Sequence, residues 1–110
     1  MKVLVCGGRD YKDLDRLRRT LSLLPITEVI NGGASGADFL AKVWARENDI
    51  PSTIFRANWK QYGRLAGPIR NEQMLKIGKP ELVVAFPGGK GTADMVRQAK
   101  AARVPVMELR

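Results

Sequence analysis

The chain has 110 residues, 45% hydrophobic and 27% charged, a composition that suits one folded domain rather than a disordered segment. With no histidine and one cysteine, Cys6, it excludes a Ser-His-Asp triad, a Cys-His pair, a histidine-ligated zinc, an internal disulfide and a thiolate metal cluster. Lys and Arg number 19 against 11 Asp and Glu, and the resulting +8 favours anionic partners: nucleotides, nucleic acid or acidic surfaces.

Apolar and polar stretches then alternate. Lys2–Cys6 is a short β-branched run that reads as a buried strand, ending in Gly7-Gly8. From Lys12 to Leu24 the leucines fall at 14, 17, 21 and 24, one face of a helix that Pro25 stops. Thr27–Asn31 is a second strand, ended by Gly32-Gly33. A helix over Gly36–Asn48 follows, with Leu40, Val43 and Trp44 at helical spacing. Ser35 with Asp38 three residues on fits a capping box at its start. Ser52–Phe55 is a short third strand, and Arg56–Gly67 reads as a long loop. Pro68 suits the first position of a helix running to Ile77. Leu82–Phe86 is a buried strand, followed by Pro87-Gly88-Gly89-Lys90-Gly91, a helix over Thr92–Ala102 and a last strand over Val104–Leu109.

Five strands separated by helical segments predict an α/β fold: a Rossmann-like three-layer sandwich whose five-stranded parallel sheet has the order 3-2-1-4-5. One domain is expected to fill residues 1–110, without repeat or linker. No apolar run approaches the ~20 residues of a membrane span. The N-terminal run Met1–Cys6 is too short for a signal peptide, so the expectation is a cytoplasmic protein that binds no membrane. No metal or cofactor is called for.

Three glycine clusters each lie between a strand and a helix: Gly7-Gly8, Gly32-Gly33-x-x-Gly36 and Gly88-Gly89-x-Gly91. A parallel sheet puts all such loops on the edge at the carboxyl ends of its strands. The crevice between strands 1 and 4, where the topology reverses, is then the expected ligand site. Glycine lets backbone N–H groups approach a ligand, and the helix that follows adds its dipole, so these loops suit phosphate. Turn-making is the alternative reason for glycine at such a place. No cluster has the G-x-G-x-x-G spacing, and the third lacks a Walker A ending, because Lys90 precedes Gly91-Thr92 rather than leading a Ser or Thr directly.

Four blocks together resemble the YspA/YpsA-related branch of the SLOG superfamily, over nearly the whole chain. They are Val5-Cys6-Gly7-Gly8-Arg9-Asp10-Tyr11, Gly32-Gly33-Ala34-Ser35-Gly36-Ala37-Asp38, Gly67-Pro68-Ile69-Arg70-Asn71-x-x-Met74, and Phe86-Pro87-Gly88-Gly89-Lys90-Gly91-Thr92-Ala93-Asp94. The resemblance implies a Rossmann-like domain that binds a nucleotide or nucleotide-derived ligand, as a sensor or a nucleotide-processing protein. It implies a phosphate-binding role for Pro87, Gly88, Gly89, Lys90, Gly91 and Thr92, and it implies self-association. Distant relatives include the Lonely Guy phosphoribohydrolases, whose pattern has an Arg-Lys pair and Pro-Gly-Gly-x-Gly-Thr-x-x-Glu. Arg70 matches that arginine, but Asn71 stands in place of the lysine and Met95 in place of the glutamate. N-glycosidic hydrolysis of a nucleoside monophosphate is therefore an alternative reading. Nucleic-acid binding is another, from the net charge and the kinship with DNA-processing protein A, although the cations are spread along the chain.

The candidate residues carry open alternatives. Arg9 would pair with phosphate and Asp10 with a ribose hydroxyl or water, or the two form a surface ion pair. Asp38 reaches a ribose hydroxyl or only caps its helix. Asp94 sits near a helix start, where the dipole favours an acid whatever its role. If a catalytic carboxylate exists, Asp94, Asp38 and Asp10 are the candidates, with Arg70 beside them. A cation such as Arg70 at a helix start opposes the dipole, so an anionic ligand or a salt bridge must explain it. Gly7, Gly8, Gly32, Gly33, Ser35, Gly36, Arg70 and Asn71 complete the expected ligand-binding set. Trp59 and Tyr62, among Arg56, Lys60 and Arg64, either stack on a base or pack beneath their loop. Trp44 reads as core, and Cys6 as strand packing rather than a nucleophile.

Overall fold

The computed structural model describes residues 1–110. It contains β1 (Lys2–Cys6), α1 (Leu14–Ser22), β2 (Glu28–Asn31), α2 (Ala37–Glu47) and β3 (Ser52–Ile54). A short α3 (Trp59–Tyr62) and a 3-10 turn (Gly63–Leu65) lead into α4 (Ala66–Lys76), β4 (Leu82–Ala85), α5 (Lys90–Ala101) and β5 (Val106–Glu108). All strand pairs are parallel and the order is β3-β2-β1-β4-β5, as the alternation of elements requires.

The pleat of β1 shows why there are three layers. Successive side chains of a strand point to opposite faces. Val3 and Val5 join Leu17 and Leu21 of α1 and Ala41, Trp44 and Ala45 of α2 in one core cluster. Leu4 and Cys6 join Met74 of α4 and Met95, Val96 and Ala99 of α5 in the other. The central strand is thus apolar at nearly every position, because both faces are covered. Trp44 is core, with its indole N–H donating to Ser22 Oγ at 3.2 Å.

The segment expected to be a loop is mostly helical. Asn58 caps α3: its Oδ1 accepts the Gln61 N–H at 3.1 Å, and its Nδ2 donates to Gln61 Oε1 at 3.0 Å. This N-x-x-Q variant of a capping box was the signal in the sequence. Helix α4 starts at Ala66, two residues before Pro68. Proline is tolerated in the first turn because the N–H it lacks would have no intrahelical acceptor. Helix α5 begins at Lys90, not Thr92, and so takes Gly91 into its first turn despite the poor helix propensity of glycine. The two outer strands are short, and β5 spans only Val106–Glu108 of the expected Val104–Leu109.

No helix is long and apolar enough to cross a membrane. Leu21, fully buried between α1 and the sheet, tests the first core cluster. Leu21→Ala should destabilise the fold by about 2–5 kcal/mol, read as a lowered urea midpoint with an unchanged slope.

Candidate functional site

Parallel pairing of β1, β2 and β4 brings the three glycine loops to one sheet edge, and backbone hydrogen bonds then lock them together. The Gly8 N–H donates to Pro87 O at 2.9 Å, joining the first loop to the third. The Ala37 N–H donates to Gly8 O at 3.1 Å, and Ser35 Oγ to Arg9 O at 3.3 Å, joining the second to the first. Two glycines make these approaches possible. Gly36 has φ +75°, and a Cβ there would strike the backbone of Gly8 and Arg9. A Cβ on Gly8 would lie 3.0 Å from Pro87 O and 3.2 Å from Gly88 Cα.

The locked loops wall a cavity of about 480 Å³, within the ~300–1,000 Å³ range of small-ligand sites. Gly7, Gly8 and Arg9 line one side; Asp38, Arg70 and Asn71 another; Gly89, Lys90, Gly91, Thr92 and Asp94 a third. The remaining candidates lie elsewhere. Gly32, Gly33 and Ser35 line an adjoining cavity, Pro87 and Gly88 line a third, and Asp10 and Gly36 line none of these three. The main cavity also takes Cys6, Met74 and Met95 into its walls, together with Trp59 and Arg64. Of the three sulfur side chains, Cys6 reads as strand packing, Met74 belongs to a block that carries the family resemblance, and Met95 stands at the hydrolase glutamate position. Trp59 stood out as a loop aromatic, but nothing in the sequence said which way it would turn.

Asp38 does not form a capping box with Ser35. Gly36 is the N-cap of α2, with no side-chain cap, and Ser35 Oγ is turned to Arg9 O. Asp38, 7% exposed, reaches back so that Oδ2 accepts the N–H groups of Gly32 at 3.1 Å and Ala34 at 3.2 Å. Gly36, freed from L-residue backbone limits, bends the chain enough for this reach. Burial raises the Asp38 pKa; the Ala34 N–H, Arg70 and the Gly32 N–H oppose that rise.

Arg70 lies in the fifth position of α4 rather than at its start. Its Nη1 donates to Gly32 O at 2.9 Å and its Nε to Asn71 Oδ1 at 3.1 Å. Burial pushes its pKa down, Asp38 pulls it up, and Arg9 adds a like-charge push down. Asn71, 3% exposed, donates through Nδ2 to Asp94 Oδ2 at 2.9 Å and to Gly91 O at 3.3 Å. Asp94 is one turn into α5, not in its first turn. It also accepts from Arg97 at 2.7 Å and from Gln98 at 2.8 Å. Its carboxylate therefore pins α4 to α5. Met95, where the hydrolase pattern has a glutamate, is 1% exposed among Met74, Val96 and Ala99.

Cations outnumber anions at this edge. Arg9, Arg64, Arg70 and Lys90 line the main cavity against Asp38 and Asp94. None of these four cations forms an ion pair within 4.0 Å. The Arg9 guanidinium lies 5.6 Å over the Trp59 ring, and Trp59 is 50% exposed, so it is not packed beneath its loop.

The family model for the YspA, cpYpsA-related SLOG family matches residues 1–62, which hold the first two glycine loops. A curated relative, the Gene 61 protein of Mycobacterium phage D29, is 36% identical over 118 aligned positions, covering 96% of this chain and 94% of the relative.

The chain belongs to the YspA, cpYpsA-related SLOG family.

Membership of this SLOG family and the Rossmann-like parallel sheet together support a nucleotide-related ligand.

Two titratable groups in this SLOG site give measurable expectations. Burial, with Asp38 and Glu108 adding to it against Arg70, pushes the Cys6 thiol up to about 12. Cys6 should therefore resist a thiol reagent in the native protein at pH 8 and react fully in urea. Rapid native labelling would contradict a buried neutral thiol. The raised pKa of Asp38 means that the folded state takes up a proton before the unfolded chain does. The cost of the buried charge is complete at neutral pH. It falls away as pH drops through the raised value and is gone below the ordinary carboxylate range. The wild type should thus gain stability relative to Asp38→Asn between pH 7 and pH 4, measured by urea midpoints at each pH.

Proposed function

We propose that this chain binds a nucleotide in the main cavity, with a phosphate held at the start of α5. The observation that carries the reading is the bare N-terminus of that helix. Gly89 is its N-cap and offers no side chain to the N–H groups of the first turn. Those donors belong to residues 90–92, all of which line the cavity. A Cβ on Gly89 or Gly91 would meet nothing within 4 Å, so the space beside them is open. The helix dipole favours an anion there by about 0.3–1 kcal/mol, up to ~2 when partly buried. Lys90 and Arg70 add charge, and a charge-assisted hydrogen bond contributes about 1.5–3 kcal/mol.

Trp59 gives the nucleotide its other contact. Its half-exposed ring borders the same cavity, and base-on-aromatic stacking contributes roughly 1–3 kcal/mol per base. The bound molecule would lie across the edge of the sheet, phosphate at α5 and base toward α3. Retention of a ligand accounts for these features better than glycosidic hydrolysis does, because the Asp94 carboxylate is engaged by Asn71, Arg97 and Gln98.

Gly89→Asp tests the loop. An aspartate at the N-cap satisfies first-turn N–H groups and supports the helix, while its charge takes the phosphate position. Calorimetric titration with the four common nucleoside 5′-monophosphates should show at least about a 100-fold loss of affinity. The thermal midpoint should be unchanged or higher. Equal affinity in wild type and variant would remove the phosphate role of this loop.

A further inference from the structure

A second cavity of about 300 Å³ adjoins the first. The two share Arg9, Ala34, Trp59 and Arg70 as common walls, so a single molecule bound in one borders the other. The second is walled by Arg9, Arg56, Arg70 and the backbone of residues 32–35. No carboxylate lines it. None of its three arginines forms an ion pair within 4.0 Å.

The donors here have spare capacity. A guanidinium carries five N–H groups. Arg56 uses one, in a long 3.4 Å contact with Gly33 O. Arg70 uses Nη1 on Gly32 O and Nε on Asn71, which leaves Nη2. Arg9 makes no hydrogen bond through its guanidinium and rests on Trp59. The one carboxylate within electrostatic reach of both Arg9 and Arg70, Asp38, is committed to the N–H groups of Gly32 and Ala34. Three like charges around one small cavity repel each other. An anion with several acceptor oxygens relieves that repulsion, and phosphate offers pairs of oxygens that match the planar guanidinium fork.

We propose that this second cavity holds a second phosphate of the same ligand, so that the chain selects nucleotides bearing two separated phosphate groups over simple monophosphates. One phosphate sits at the start of α5 and the other among Arg9, Arg56 and Arg70, with Arg9 and Trp59 forming the wall between. The inference rests on the nucleotide reading above, and it adds the ligand class.

The test compares three probes on the same nucleoside: the 5′-monophosphate, the 5′-diphosphate and the 3′,5′-bisphosphate, each titrated calorimetrically at one ionic strength. The bisphosphate should bind at least about tenfold tighter than the monophosphate, the scale of one added charge-assisted contact. The diphosphate, whose added charge stays beside the first, should gain less than the bisphosphate. Arg56 is exposed and lines only the second cavity. Arg56→Ala should therefore abolish the bisphosphate advantage and leave monophosphate affinity unchanged. Monophosphate binding with no bisphosphate advantage would overturn the second compartment and spare the nucleotide reading. A diphosphate as tight as the bisphosphate would reduce the effect to undirected charge and overturn the separation. Binding of none of the probes would remove both readings.

Discussion

The site depends on one relay of hydrogen bonds that starts at Arg70. Its guanidinium reaches the carbonyl of Gly32 at the end of β2 and the side chain of Asn71 beside it. Asn71 passes the connection to Asp94 and to the carbonyl of Gly91, both in α5. Three elements far apart in sequence are thus held at fixed separation around one opening. Gly32 and Asn71 in the relay are buried, and Arg70 and Asp94 are partly so; a buried donor or acceptor left unmet costs about 1–3 kcal/mol. The relay is therefore close to all-or-none, and a shift of α4 would open several bonds together. Backbone bonds from Gly8 to Pro87 and from Ala37 to Gly8 fix the opposite wall in the same manner.

Much of the architecture could be read from the sequence because its causes are local. A β-branched run, a glycine turn and a leucine stripe each announce themselves within a few residues, and the handedness of crossovers then orders the strands. The convergence of the glycine loops on one edge followed from parallel pairing alone. What escaped has a different cause. The capping box at Ser35 and Asp38 satisfied the spacing rule, yet the positive φ of Gly36 let Asp38 turn to Gly32 and Ala34 instead. The placement of Arg70 at a helix start followed from taking Pro68 as the first helical residue. Two further residues, Ala66 and Gly67, in fact precede it, which puts Arg70 beyond the first turn and weakens the dipole argument. The fate of Trp59 was set by Asn58, whose cap ordered a four-residue helix too short to show periodicity.

The distribution of charge separates binding from stability. Among the ion pairs of this chain, only Arg97–Asp94 includes a residue that lines the main cavity, and that residue is the acid. The cations at the edge have no such partners. A fold selected only for stability would neutralise or disperse them, since a partly buried guanidinium such as Arg70 loses hydration that a carboxylate could replace. Consistency between local preference and overall fold holds nearly everywhere else in the chain. The conflict is concentrated where the three loops meet, which is where such conflicts mark function.

The floor of the cavity carries the same distinction into chemistry. One residue along a helix turns the side chain by about 100°. Asp94 and Met95 therefore face different surroundings although they are neighbours. Met95 packs in the apolar layer with Met74 and Ala99 and also lines the cavity. A carboxylate at that position would lose most of its hydration and resist ionisation. Asp94 instead accepts hydrogen bonds from three side chains and ties two helices together. A proton-transfer group needs an accessible lone pair near the reacting atom. Here the one carboxylate on α5 is spent on architecture, while the free donors of the same helix face the opening. The edge is thus rich in donors and poor in free acceptors, which is the balance the proposed phosphate reading requires.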